Sequence, residues 1–523
     1  MGSAARAPSV RRVAVAIALL SCDETSSAPR PASDASTQDA AGPEGRDASL
    51  SADATTPDSG ADADAGPVVR LRGPLQGTFL SFDSGAVTSE LVPEYLDELL
   101  ALGMDTVVVA SSRVKSGGCA AGSFAWHPEL PDKLGLLLDD AREREISVYL
   151  GLVGTAGACP SFENATNAPA AAADTGTTVA ELEKAYGAHP ALAGWYIPDE
   201  PGQCPSFVHG YFAGVVAAIR ARSDRPIVVA PYLAGGTSTL TPFEVGERAV
   251  AFRDATGVTI QAWQDSVGAD AVDLGYARQG SLGAVEDYFR EISNALGREG
   301  LWADVELFNW GSPLFGGPGY GSVSAVRLEA QLRQASDDLA ARRVSWLAQL
   351  HMGTVDSNHD AGSSRLAASY RALFGLGGQY LAPAGYAWET PPAASYPDAG
   401  GELTNHRTGD PRDFLHEEWV GVLGDAAFSV DLGAERPIDW VGVHALDDGA
   451  SAIAIPDRLD LSCSTDGATW NLLASVPRPV ASSDGEYLLA NTAPLGAACR
   501  SVRVQLSNDV WTFVSEVEIA SER

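Results

Sequence analysis

Positive charge is scarce in this chain: 35 lysines and arginines stand against 68 aspartates and glutamates, a net charge of −33. Binding to a phosphate backbone requires clustered cations, so nucleic-acid partners are excluded and polyanionic substrates are disfavoured. The apolar stretch near the N-terminus, Val13 to Leu20, is too short to stay in a bilayer as a spanning helix. Several catalytic signatures are missing as well. His416-Glu417-Glu418-Trp419 falls short of a zinc-protease HExxH, no Gly-x-Ser-x-Gly elbow presents a serine, and no dinucleotide glycine fingerprint follows the first apolar strand. His351, His359 and Asp356 lack the tight spacing of a metal site and read as substrate contacts or as none. The chemistry is therefore sought in groups that need no cofactor, and no protein partner is implied.

What is present begins with an export pattern. Arg6, Arg11 and Arg12 precede the short apolar run, the layout of a secretory signal over residues 1–22. The run ends in Leu19-Leu20-Ser21-Cys22, which resembles the lipobox of bacterial lipoproteins. That resemblance implies cleavage before Cys22, a lipid on its thiol and attachment to the cell-envelope membrane, with plain secretion as the alternative. Residues 23–68 are almost wholly Ala, Asp, Ser, Thr, Pro and Gly, with ten acids against Arg30 and Arg46 and no aromatic residue. Such a segment cannot bury enough apolar surface to offset its ordering entropy, and it reads as a disordered, self-repelling tether. Export permits disulfides. Cys463 and Cys499 fall in one late domain and are expected to pair, while the pairing among Cys119, Cys159 and Cys204 stays open.

From Leu75 the chain alternates apolar, β-rich runs with amphipathic stretches. The runs begin at Leu75, Thr106, Ser147, Gly194, Pro226, Gly257, Leu301 and Val344. Between them, spacings such as Leu91, Tyr95, Leu96 and Leu99 build one apolar helix face. The helix after the third run is read from Val179, the weakest lies near PFEVGERAVAFRDATG, and AVRLEAQLRQASDDLAARR is read as one helix. Eight such units over residues 70–378 predict an α/β fold, a closed (β/α)8 TIM barrel, with a doubly wound open sheet as the alternative.

Barrels of this kind carry their active sites at the C-terminal ends of the strands. Acids stand there on three runs: Asp199-Glu200 after the fourth, Asp265 after the sixth and Glu306 after the seventh. Cleaving a glycosidic bond needs one carboxyl to protonate the leaving oxygen and another to attack or stabilise the anomeric carbon. The arrangement resembles the large clan of retaining glycosidases whose acid/base closes strand four and whose nucleophile closes strand seven. The resemblance implies Glu200 as acid/base and Glu306 as nucleophile, converging at the mouth. It departs at Asp199, where that clan usually carries Asn. Asp265 binds a sugar hydroxyl, orients Glu200, or acts as the base of an inverting enzyme; the plain alternatives are a helix cap for Asp199 and Glu200, a loop cap for Asp265 and a purely structural role for Glu306. Aromatic and polar residues at the same rim, Tyr196, Tyr232, Trp263, Gln264, Phe308, Trp310, Trp346 and His351, complete a substrate-binding set with Asp199 and Asp265, joined by Phe82 and Trp126 among the aromatics. More closely, GTFLSF, LLALGMDTVVV, HPALAGWYIPDEP, VVAPYL, Gln264 to Gly268 and ADVELF are similar to a family of secreted bacterial barrel domains of unknown function that are regarded as glycosidase-like.

After about Leu376 short alternating strands and turns such as Thr465-Asp466-Gly467 predict an antiparallel β-sandwich (jelly roll) over residues 380–523. The YPDAGGELTN opening, the FSVDLG strand and the STDGATW hairpin resemble the galactose-binding-like domain of discoidin and coagulation-factor type C proteins. That resemblance implies carbohydrate binding and a structural calcium ion; as carboxylates Asp398, Glu402 and Glu518 are its candidate ligands, with solvated loop acids as the alternative, and Trp419 and Trp511 are sugar platforms or core residues. The combined reading is a glycoside hydrolase acting on an extracellular glycan, with a separable sandwich that retains it there. A non-catalytic carbohydrate-binding lipoprotein is the chief rival, and a polysaccharide lyase or deacetylase the third class.

Overall fold

The computed structural model describes residues 75–82, 90–116, 123–126, 130–155, 168–201, 206–233, 240–268, 284–308, 322–353, 355, 362–478 and 485–523. The export signal, Cys22, the tether, Cys119, Cys159, Cys204, Trp310, Asp356 and His359 lie outside these residues. Among the described residues no helix is long and apolar enough to cross a membrane.

Eight strands close a barrel: Gly77–Leu80, Thr106–Val109, Ser147–Gly151, Leu192–Ile197, Ile227–Val229, Ile260–Gln264, Leu301–Val305 and Arg342–Ser345. Each pairs in parallel with the next, and the first closes on the last through Gly77 opposite Val344 and Thr78 opposite Ser345. The strands read as apolar runs because both faces are covered. Alternation sends Phe79, Val108, Tyr196, Val228, Ala262, Trp302 and Val344 into the barrel interior. It sends Val107, Trp195, Ile197, Trp263, Ala303 and Val305 outward, against the helices.

Those helices are Val92–Ala101, Leu130–Glu143, Ala168–Tyr186, Ser206–Arg220, Pro242–Thr256, Val285–Leu296, Ala325–Gln334 and Ser363–Leu373. Three are instructive beside the sequence reading. The third begins at Ala168, because the run APAAAAD carries high helix propensity without an obvious apolar stripe. The fifth, weak by periodicity, is fixed by its ends: Thr241 and Glu244 form a capping box and Gly257 closes it in the left-handed conformation. The seventh stops at Gln334, and the following Asp337 instead pairs with the buried Arg343 of strand eight.

The C-terminal region forms two five-stranded antiparallel sheets. One contains strands Gln379–Tyr380, Trp511–Ser521, Trp440–Asp447 and Gly485–Ala490, with Val420–Leu423 added to Trp511–Ser521. The other runs Gly385–Trp388, Ala426–Ile438, Ala497–Ser507, Arg458–Ser464 and Asn471–Pro477. A continuous core of Phe428, Val430, Val441, Val443, Leu461, Val504 and Val517 lies between them. Cys463 and Cys499 form a disulfide inside this core.

The sandwich does not hang from the barrel as a separate bead. Ala368 and Ala372 of the last barrel helix pack with Trp440 and Ala520. Beside them a buried ionic network crosses the junction. Glu518 accepts a hydrogen bond from the Val326 amide at 3.0 Å and faces Arg365 at 3.4 Å and His444 at 3.1 Å. His444 reaches Glu486 through its other nitrogen. Glu329 pairs with Arg333 and with His406, 3.1 Å away, whose backbone N–H donates to Glu516. Burial opposes charge here, yet His444 and Arg365 hold Glu518 down at about 2, and Glu486 and Glu518 hold His444 up at about 10.

Both shifts stabilise the folded chain, in different windows. His444 contributes fully below its unfolded value of 6.5, and this is lost as pH rises through about 10. Glu518 contributes above 4.5, and this is lost as pH falls through about 2. Glu518→Gln is expected to cost about 3 to 5 kcal/mol in denaturant unfolding, because it leaves Arg365 and His444 buried with a broken pairing. A chain ended after Leu376 is expected not to yield a folded barrel, since Arg365, Ala368 and Ala372 lose their cover. Wild-type stability in the first, or a soluble cooperative barrel in the second, would contradict these expectations.

Candidate active site

Strand seven reads Leu301-Trp302-Ala303-Asp304-Val305, followed by Glu306. Because Trp302 lies in the barrel interior, the two-residue period places Asp304 and Glu306 on that same inward side, one above the other. Both are buried, 1% and 2% exposed. At the end of strand four, the neighbouring acids part company. Glu200, half-buried, is hydrogen-bonded to Gln264, the last residue of strand six. Desolvation and the charge of Asp199 outweigh that hydrogen bond and raise Glu200 to about 7. Asp199 instead turns to the following helix, where the Tyr211 hydroxyl donates to it at 2.5 Å. Expected as a substrate contact, it is better described as a buried acid that accepts a hydrogen bond from Tyr211 and whose charge adds to the upward shift of Glu200.

Asp265 is likewise turned outward from the mouth. It accepts from the amides of Val267 at 3.2 Å and Glu306 at 3.3 Å, and from the side-chain amide of Gln331 at 2.7 Å. Gln331 also donates to the Glu306 carbonyl at 3.0 Å. Burial pushes Asp265 up to about 6 against these donors and against Arg327. The sequence reading offered Glu200 as the acid that Asp265 orients; the acid whose backbone it holds is Glu306. Gly268, three residues on, packs directly against that acid: a Cβ there would lie 2.8 Å from Glu306 Oε2 and 2.4 Å from the Phe308 carbonyl.

Of the expected aromatic rim, only part faces inward. Tyr196 lies inside the barrel with its ring 5.0 Å from Phe79, and Trp346 stands 5.3 Å from Phe79 on the other side. Tyr232 bridges to Gln264 at the same level. Phe308 is buried beside His351, ring centroids 5.6 Å apart. Trp263 is a correction: its position on strand six points outward, its indole N–H donates to Gln261, and its ring packs in the layer between strands and helices. Phe82 packs in that layer too. Trp126 ends a short strand, Ser123–Trp126, of a separate three-stranded sheet.

Three site residues escaped the sequence reading. Asp304 was hidden inside a strand, although its two-residue spacing from Glu306 is the available signal. Its Oδ1 is buried without a hydrogen-bond partner among the described residues. Burial, then Glu306, Asp265 and Glu200, raise it well above an ordinary carboxyl. Tyr211 and Gln331 lie on helices and carry no local signature.

The three acids suspected of holding calcium are not one site. Asp398 accepts from Tyr386 at 2.7 Å, Trp388 at 2.5 Å and the Gly400 amide at 2.7 Å. Glu402 accepts from the amides of Ala399 and Gly400. Glu518 belongs to the junction network instead. Among the described residues no group of three or more His, Cys, Asp or Glu is arranged to hold a metal ion. Trp419 is core, donating to the Asp410 carbonyl at 2.8 Å, and half-buried Trp511 stands edge-on to Tyr396, 5.2 Å between centroids.

A family model described as Domain of unknown function (DUF4434) matches residues 75–353. No curated protein matches the chain. Among solved structures, the chain is similar to one from Bacteroides thetaiotaomicron VPI-5482, provisionally assigned as an alpha-L-fucosidase, at 16% identity and a TM-score of 0.48, over 60% of this chain and 98% of that one. A glycoside hydrolase family 5 structure from Bacteroides vulgatus ATCC 8482 shares 12% identity at a TM-score of 0.39, covering 83% and 89%. CBM32-1 from a family 31 glycoside hydrolase from Clostridium perfringens shares 15% identity at a TM-score of 0.21, covering 27% and 97%.

The tight seat of Glu306 is testable. Gly268→Ala is expected to cost roughly 1 to 3 kcal/mol, because backbone and carboxylate must both move. Gly210→Ala is the control: on an exposed helix turn with nothing within 4 Å of the added Cβ, it should gain about 0.5 to 1 kcal/mol. Equal denaturant midpoints for the two variants would refute the close packing at Gly268.

Proposed function

The chain belongs to the family described as Domain of unknown function (DUF4434), and from the acids its barrel gathers we propose that it is a retaining glycoside hydrolase acting on an extracellular poly- or oligosaccharide. The observation that carries this reading is the division of labour between two carboxyls. Glu200 is raised to about 7, chiefly by desolvation, which suits a group that must hold a proton at neutral pH and then give it up. Glu306 is buried at the end of strand seven and held by backbone contacts from Asp265 and Gln331, which suits a group whose position must not vary.

In this mechanism Glu306 attacks the anomeric carbon as Glu200 protonates the departing glycosidic oxygen. The C–O bond breaks, the leaving sugar takes the proton, and Glu306 carries the remaining sugar as an ester. Glu200, now a carboxylate, then takes a proton from water. The water oxygen bonds to the anomeric carbon, and Glu306 is released unchanged. Inward-facing Tyr196 and Trp346 offer apolar faces for the sugar ring. The net negative charge favours a neutral glycan. The sandwich adds carbohydrate binding, and a lipid on Cys22 holds the exported enzyme at the cell envelope.

Reducing-end release from a panel of neutral glycans tests this. Wild type should cleave at least one, Glu306→Gln should abolish cleavage, and Glu200→Gln should lower kcat/KM roughly 10² to 10⁴-fold. The wild-type rate should fall as pH rises through about 7, where Glu200 loses its proton, and that limb should vanish in Glu200→Gln. Glycan binding without cleavage in all three proteins would favour a lectin and refute the proposal.

A further inference from the structure

Asp304 is the acid at this site for which the mechanism above has no use. It sits one strand period below Glu306, at the level of Gln264 on strand six and Val344 on strand eight, its register partners. Val344 lies in the barrel interior, so the side chains of this level point to the same space. Below it the interior is closed by Trp302, Tyr149, Val228 and Ile260; above it open the positions of Glu200 and Glu306. Asp304 is thus the deepest polar side chain on that strand, 1% exposed, and its Oδ1 has no hydrogen-bond partner among the described residues. A buried carboxyl without partners costs free energy, and sites retain such a group where a ligand completes it.

Resting on the glycosidase reading, we propose that Asp304 is a substrate-contacting residue, a carboxyl at the floor of the sugar subsite that hydrogen-bonds to a ring hydroxyl of the sugar held between Glu200 and Glu306. The groups facing it decide its protonation. Glu200 after strand four, the hydroxyl of Tyr196 on it and Glu306 after its own strand lie nearest, and Asp265, though turned outward, adds its charge. Arg327, the cation in this neighbourhood, acts on Asp265. Burial first, and then the charges of these acids, push the Asp304 carboxyl well above the ordinary carboxylate range, which favours its protonated form. A neutral acid can both donate to and accept from a hydroxyl, whereas a carboxylate can only accept. A polar group built to meet a hydroxyl also discriminates strongly against a sugar lacking it.

Two measurements separate this proposal from the reading on which it rests. Infrared difference spectra of wild type minus Asp304→Asn at pH 7 should contain the carbonyl stretch of a protonated carboxylic acid, whether or not a substrate is in hand; its absence overturns the proposal. On a cleaved glycan, Asp304→Val should lower kcat/KM by roughly 10²-fold, the scale of one lost donor at a reacting centre, while Asp304→Asn, which still donates, should recover most of that loss and leave the pH limb near 7 in place. If Asp304→Val keeps wild-type kcat/KM where Glu306→Gln is inactive, or if Asp304→Asn moves the Glu200 limb downward, Asp304 is not a neutral sugar contact and the glycosidase reading stands without it. If Glu306→Gln cleaves like wild type, the reading itself has failed. Should Asp304→Val not fold, the Asp304→Asn spectrum and pH limb still decide.

Discussion

Carboxylates repel one another most where water cannot screen them, and the upper end of this barrel sets Asp265, Asp304 and Glu306, each 1 to 2% exposed, beside Glu200. The rest of the site follows from how that repulsion is relieved. Donors from Val267, Glu306 and Gln331 converge on Asp265, Tyr211 donates to Asp199, and Glu200 and Asp304, which receive least help, are raised, the first to about 7 and the second well above the ordinary carboxylate range. A raised acid beside a fixed, buried carboxyl is what the proposed acid-assisted displacement at an anomeric carbon would use. A site so assembled is costly to the fold, and its parts are accordingly held by strand ends and helices rather than by loops.

The junction between barrel and sandwich uses the same physics for another purpose. There Arg365, His444 and His406 accompany Glu518, Glu329 and Glu516 in a buried network that spans both regions. Such networks add specificity of docking more than raw stability, because desolvation offsets most of the attraction. The consequence is a sandwich packed against the barrel through shared side chains and this network, where the sequence suggested a separable module.

Much of this was legible beforehand, for identifiable reasons. Eight β-rich runs with helices between them lead to a closed barrel because parallel strands buried on both faces leave few alternatives. Glu200, Asp265 and Glu306 were visible because they end apolar strands, where a charge is otherwise out of place. What the sequence withheld was orientation. Whether Asp199 or Glu200 enters the mouth depends on Tyr211, twelve residues away on a helix. Trp263 and Tyr196 look equally exposed to a ligand until the two-residue period is anchored by known interior neighbours. Asp304 reads as an oddity within a strand until Trp302 fixes the inward face, and Glu518 reads as a loop acid until Arg365 and His444, 153 and 74 residues away, are brought to it.

The central claim is that Glu306 attacks carbon while Asp265 only braces it. The stereochemistry of the first-formed product tests this most directly, followed by proton NMR during cleavage of a glycan that the enzyme hydrolyses. Two displacements through Glu306 predict that the anomeric configuration of the substrate is retained in the nascent sugar before mutarotation. Inversion would contradict the account, since it requires a single attack by water and a base to activate that water, a role that Glu306 or Asp265 would then have to fill.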